Sequence, residues 1–120
     1  MEAIRGAITI GINHEEDIKK ASIKLFDEIC NKNNLNKDNI VSIVFSCTDD
    51  ITAAYPGKFI REEFSLNKQA IMHFNEMRVI SELYLPLCIR IMILYNGEIN
   101  ELKHIYLEKA SRLRRDLSDS

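Results

Sequence analysis

The sequence predicts an α/β (α+β) fold, a mixed β-sheet with two main helices. Three observations carry that reading. Runs of β-branched and other apolar residues at 3–10, 40–48 and 87–95 have strand length and read as buried strands. A longer stretch, 14–33, repeats its apolar residues at helical spacing. A proline, Pro56, opens a second and shorter helix at 56–64.

In chain order, 3–10 is the first strand. Asn13-His14-Glu15-Glu16 has the form of a capping box, with Asn13 as N-cap and Glu16 reaching back. Ile18, Ala21 or Ser22, Leu25 and Ile29 then form one apolar stripe, and Asn31-Lys32-Asn33-Asn34 supplies residues that tolerate a left-handed stop. A polar turn at 36–39 leads into the strand 40–48, which Asp49-Asp50 breaks. After the 56–64 helix, 69–74 is another strand. The stretch 77–86 has no clear period, and Pro86 bars a central strand there. Strand 87–95 ends at Asn96-Gly97, a tight-turn signal. A short helix is expected over 98–104 and a last short strand over 104–108. Residues 1–111 form the single domain, and 112–120 a polar, flexible tail. Strands outnumber the helices available to cover them, which predicts burial of a sheet face or edge by oligomerisation.

A chain of 120 residues with 46% apolar content can bury a substantial core. A net charge of −2 offers no general basic field for nucleic acid or an acidic membrane. No apolar stretch is long enough to span a bilayer. The opening Met1-Glu2-Ala3-Ile4-Arg5-Gly6 lacks the features of a secretory signal, so a cytoplasmic location is expected. Cys30, Cys47 and Cys88 are odd in number and match no redox or metal spacing. His14, His73 and His104 are scattered, so no metal site is expected.

Phosphate-binding glycine loops, nucleophile elbows and zinc signatures are absent. Two arginines stand out instead. Arg90 interrupts Leu87-Cys88-Ile89-Arg90-Ile91-Met92-Ile93-Leu94, and Arg5 interrupts Ala3-Ile4-Arg5-Gly6-Ala7-Ile8. A guanidinium in a buried strand needs an anionic partner, because desolvating the ion costs several kcal/mol. That partner is either an internal carboxylate or a small acid. Around these two lie Tyr55, Lys58, Arg61, Glu76, Tyr106 and Arg114. Taken singly, each also has a plain structural reading: a solvated helix face for Lys58 and Arg61, a strand-end acid for Glu76, a core tyrosine for Tyr106 and a solvated tail for Arg114.

Taken together, Ile4-Arg5-Gly6-Ala7, Ala54-Tyr55-Pro56-Gly57-Lys58-Phe59-Ile60-Arg61-Glu62, Asn75-Glu76-Met77, Cys88-Ile89-Arg90-Ile91-Met92 and His104-Ile105-Tyr106-Leu107-Glu108-Lys109-Ala110, with Leu113-Arg114 and Asp116-Leu117 behind, resemble the monofunctional bacterial chorismate mutases of the AroH class. The resemblance implies a trimeric pseudo-α/β-barrel with sites between subunits, and a cofactor-free rearrangement of chorismate to prephenate. It implies that Arg90 stabilises the ether oxygen of the transition state. Arg5 and Tyr106 would bind carboxylates, and Glu76 would take the ring hydroxyl. Tyr55 would wall the pocket, where the family usually has phenylalanine. Lys58, Arg61 and Arg114 would supply positive potential, with Leu113 packed near the tail. Met72 and His73 would line the substrate, where threonine and cysteine are common. One segment departs from the family pattern: Met77-Arg78-Val79-Ile80-Ser81-Glu82-Leu83-Tyr84-Leu85-Pro86 lacks the usual proline-glycine turn and is about two residues longer. The alternative reading is a non-catalytic trimer of the same fold that binds a small acid.

Overall fold

The computed structural model describes residues 1–80 and 84–113. Its strands are β1 (Glu2–Thr9), β2 (Ile40–Cys47), β3 (Ala70–Asn75), β4 (Cys88–Tyr95) and β5 (Ile105–Leu107). Helix α1 (Glu15–Lys32) follows β1, and α2 (Pro56–Phe64) joins β2 to β3. The sheet runs in the order β3-β2-β4-β1-β5. β4 lies antiparallel between β1 and β2, while β3 and β5 extend the two edges in parallel. This is the mixed sheet with two helices that the pattern predicts.

The alternation of each strand sorts its side chains onto two unlike faces. One face carries Ile4 and Ile8, Ile43 and Phe45, and Ile89, Ile91 and Ile93, all fully or almost fully buried. The apolar stripe of α1, including Ile18, Leu25, Phe26 and Ile29, packs on it with Phe59 and Ile60 of α2. Gly6 allows the close approach: a Cβ there would stand 2.8 Å from the Ile105 carbonyl and 2.9 Å from Ile29 Cδ1. The opposite face carries Arg5, Val44, Ser46, Met72, Phe74, Arg90, Met92 and Tyr106. Neither α-helix covers it. Among the described residues, the short 3-10 turn Glu108–Arg112 reaches one end, where Ala110 joins Ala7, Leu85 and Cys88, with Tyr106 and Leu113 packed against them. Met72 and Phe74 stay 56% and 52% exposed.

Several expectations are corrected. His14, not Asn13, caps α1, and its Nδ1 accepts from the Glu16 amide at 3.3 Å. Asn13 is engaged elsewhere: its side chain donates to Thr52 Oγ1 and accepts from the amides of Thr52 and Ala53, tying down the approach to α2. The left-handed stop after α1 does fall within the anticipated Asn31-Lys32-Asn33-Asn34 run, at Asn34. No helix forms at 98–104, a bent stretch whose end is tied down from outside. Asn33 exchanges two hydrogen bonds with the backbone of Lys103, and His104 Nδ1 accepts from the Arg5 amide at 3.0 Å. The chain bends at Asn96-Gly97 as anticipated, though not into a hairpin. The Asn96 amide bonds to the Asn39 carbonyl, and the next strand pairs with β1 rather than β4. In the 77–86 stretch Arg78 reaches Asp49 at 3.5 Å and lies over the Tyr84 ring.

All three cysteines are buried free thiols. Burial pushes Cys30 and Cys47 up to about 12 and Cys88 to about 11, with the nearby Arg90 pulling Cys88 back. They behave as small apolar side chains.

Candidate active site

Strand register assembles the centre of the open face. Ser46 lies opposite Arg90, Arg90 opposite Ala7, and Ala7 beside Tyr106. Four strands thus contribute one row across the sheet, with the small, buried Ala7 between Arg90 and Tyr106. One step along, Val44, Met92 and Arg5 form the next row. Arg5, Val44, Ser46, Arg90, Met92 and Tyr106 line a hollow of about 240 Å³. Two guanidinium groups, a phenol and a hydroxyl converge there on an otherwise apolar floor. That combination recognises a small acid bearing more than one oxyanion.

Glu76 enters from the end of β3, where its amide bonds to the Cys47 carbonyl at 2.7 Å and so extends the ladder by one residue. Its Oε2 sits 2.8 Å from Arg90 Nε, with side-chain exposures of 26% and 39%. The contact is ionic rather than a well-aligned hydrogen bond: Arg90 Nε is closed to solvent and has no in-line acceptor among the described residues. The two readings of Arg90 therefore combine. It has an internal carboxylate, and it also lines a hollow of the right character for a ligand.

The entrance to β4 is fixed by a clamp that the sequence did not advertise. Asp50 accepts from the Leu87 amide at 2.9 Å and from the Thr48 hydroxyl, whose oxygen accepts from the Cys88 amide at 2.9 Å. Leu87 itself has a left-handed backbone, φ 51°, which a non-glycine residue holds only when its surroundings impose it. The only hint in the sequence is the pair Asp49-Asp50 closing an apolar strand. Asp50→Ala is expected to lower stability by about 1–2 kcal/mol, the cost of unpairing buried donors. By loosening the start of the Arg90 strand it should also reduce turnover about tenfold. Urea unfolding and steady-state kinetics on the same sample check both; unchanged turnover would show that Arg90 is placed without the clamp.

The remaining anticipated residues form a second set. Tyr55, 68% exposed, lies with Lys58, Arg61 and His73 around a hollow of about 420 Å³ beside α2. Lys58 is exposed, with its ammonium over the Phe59 ring. Arg61 is already committed: its guanidinium donates to the carbonyls of Leu66 and Gln69, closing the turn from α2 to β3. His73 points to the helix side of the sheet, where its Nε2 accepts from the Gly57 amide. Met72, its neighbour, points to the open face on the edge strand. Leu113 packs with Ala7 and Cys88 at the far end of that face, and Arg114 lies outside the described residues. The anticipated residues therefore fall into two separate groups on one chain, one around Arg90 and one around Tyr55 and Lys58.

Comparison with known proteins gives the same answer along the whole chain. The family described as chorismate mutase type I matches residues 1–117. The chain belongs to that family. It is 32% identical to the chorismate mutase AroH of Bacillus subtilis over 98% of this chain and 93% of the relative. It is 28% identical to the corresponding protein of Thermus thermophilus over 100% of this chain and 98% of the relative. A solved chorismate mutase from Clostridium thermocellum superposes with a TM-score of 0.87 at 36% identity, covering 94% of this chain and all of that one. The function is thus that of a chorismate mutase, an isomerase that converts chorismate to prephenate. No helix among the described residues is long and apolar enough to cross a membrane.

Proposed function

We propose that the enzyme works by holding the reactive diaxial conformer of chorismate and meeting the charge that develops on its ether oxygen with Arg90. The rearrangement breaks that C–O bond and forms a C–C bond within one molecule. Atoms and electrons balance without a nucleophile, a proton or a cofactor. What a protein can add is orientation and a fixed positive group where charge grows. A guanidinium on a central strand supplies both, and it favours the transition state over the ground state because the oxygen is more negative there. Arg5 and Tyr106 take the substrate's carboxylates. Glu76 accepts from the ring hydroxyl while setting the angle of Arg90. The row running from Ser46 through Arg90 and Ala7 to Tyr106 is the observation that carries this reading.

The working form is a cytoplasmic homotrimer in which the Tyr55 and Lys58 side of one chain closes the Arg90 hollow of the next, with Leu113 and Arg114 near the tail. Two features support it: the open face with exposed Met72, Phe74 and Met92, and the split of the anticipated residues between two hollows.

Purified protein is expected to consume chorismate, read as loss of its absorbance. A folded sample that binds chorismate without consuming it would overturn the catalytic reading. The shared site has its own test. An Arg90→Ala chain and a Tyr55→Ala/Lys58→Ala chain, each nearly inactive, are refolded together. Random mixing should restore about a quarter of wild-type activity if sites lie between subunits. Recovery of none would place each site within one chain.

A further inference from the structure

The start of α2 lacks the usual side-chain cap. Tyr55 occupies the N-cap and makes no capping bond, and Pro56 after it has no amide hydrogen. The first orphan donor is therefore the Gly57 amide, since the Lys58 amide bonds back to the Tyr55 carbonyl. His73 meets that donor from across the sheet, with Nε2 2.9 Å from the Gly57 nitrogen. The ring is fixed on two sides. It stacks on Phe45 at 5.2 Å and 8°, and meets the Tyr55 ring at 5.0 Å and 56°. Gly57 is required for this fit, because a Cβ there would stand 2.8 Å from Nε2 and 2.6 Å from Ile71 Cγ2.

We propose that His73 is a positioning residue: its neutral imidazole caps α2 and so sets the Tyr55 and Lys58 wall of the active site, and protonation in mildly acidic solution releases that wall. The inference rests on the function proposed above, in which that wall closes the site. The chemistry follows from the accepting nitrogen. Nε2 can accept only while it lacks a proton, so the ring hydrogen sits on Nδ1. A second proton would set one N–H against another and place a cation at the positive end of the helix dipole. From α2, Lys58, Arg61 and Glu62 line the hollow with His73, two cations against one acid. From β2, Cys47 lines the neighbouring hollow, and burial pushes its thiol up to about 12, so it stays uncharged. Partial burial of His73 also works against its charged form, lowering its pKa from 6.5. The folded protein thus binds this proton less readily than the unfolded chain. As pH falls below 6.5 the unfolded chain gains the proton first, and the stability from this group is lost on the acid side.

The test compares wild type with His73→Gln, which keeps an acceptor but cannot titrate, and His73→Leu, which has none. Each is followed from about pH 8 to about pH 5, across the histidine range, by thermal unfolding and by chorismate kinetics. His73→Leu is expected to show, at every pH, a KM about fivefold above that of wild type at the alkaline end, the scale of one lost hydrogen bond, with kcat within about twofold. His73→Gln should hold its own melting temperature and KM from the alkaline to the acid end, where wild type loses both. Identical pH profiles for wild type and His73→Gln would overturn the proposal, as would an unchanged KM in folded His73→Leu. If His73→Leu fails to fold, the comparison with His73→Gln still decides. If wild type proves unable to consume chorismate, the functional reading fails, while the melting profiles alone still decide whether His73 caps α2.

Discussion

Replacing Arg90 with citrulline is expected to lower kcat for chorismate by about a thousandfold or more, with a smaller change in KM. Citrulline keeps the planar shape of arginine and removes the charge. The loss would therefore report electrostatics aimed at the breaking ether bond rather than a hole in the sheet. Arg5 and Tyr106 would still hold the carboxylates, which is why ground-state binding should suffer less. The fold should survive. Arg90 is 39% exposed and its pairing with Glu76 is partly screened, so the lost ion pair costs about 1 kcal/mol or less. Chorismate absorbance and urea unfolding, measured side by side, separate the two effects. Near-normal turnover in a folded citrulline variant would remove Arg90 from the mechanism.

The largest effect on the fold is expected from Phe26→Ala. Phe26 is fully buried on α1, and its ring meets Phe64 at the end of α2 with centroids 5.0 Å apart. It therefore joins the two helices to each other as well as α1 to the sheet. Truncating a buried phenylalanine costs about 3–5 kcal/mol in lost burial and residual cavity. Against a domain stability of about 5–15 kcal/mol, that leaves a marginal protein. Its melting temperature should fall by about 10–20 °C. Calorimetry checks this; a drop of only a few degrees would mean that the helices repack into the space.

The sequence carries its periods plainly and its long-range partners hardly at all. Strand 40–48 and helix 14–33 are legible because apolar spacing is set by the local backbone, and the structure places them within a residue or two of that reading. Arg5 and Arg90 are legible because a cation in a buried run must be answered by something. What answers them depends on the order β3-β2-β4-β1-β5, which no local pattern encodes. The misreadings have the same source. Asn13 looks like a cap until Thr52 and Ala53, far along the chain, claim its side chain. Residues 98–104 look helical until Asn33 and Arg5 claim their backbone and His104. Arg61 lines the hollow beside Lys58, but the carbonyls of Leu66 and Gln69 that also hold its guanidinium could not be foreseen from its spacing.

Because Ser46, Arg90, Ala7 and Tyr106 are set by strand pairing, the accuracy of the site is stored in the hydrogen-bond ladder and not in the connecting loops. A change of length ahead of Leu87 would be absorbed before the Asp50 clamp and leave Arg90 opposite Ala7. A single-residue deletion inside β4 has no such outlet. Strand alternation would carry the guanidinium through to the other side of the sheet, into the company of Phe45 and Ile29. The enzyme thus has two kinds of sequence, one free to drift in length and one in which length itself is the specification.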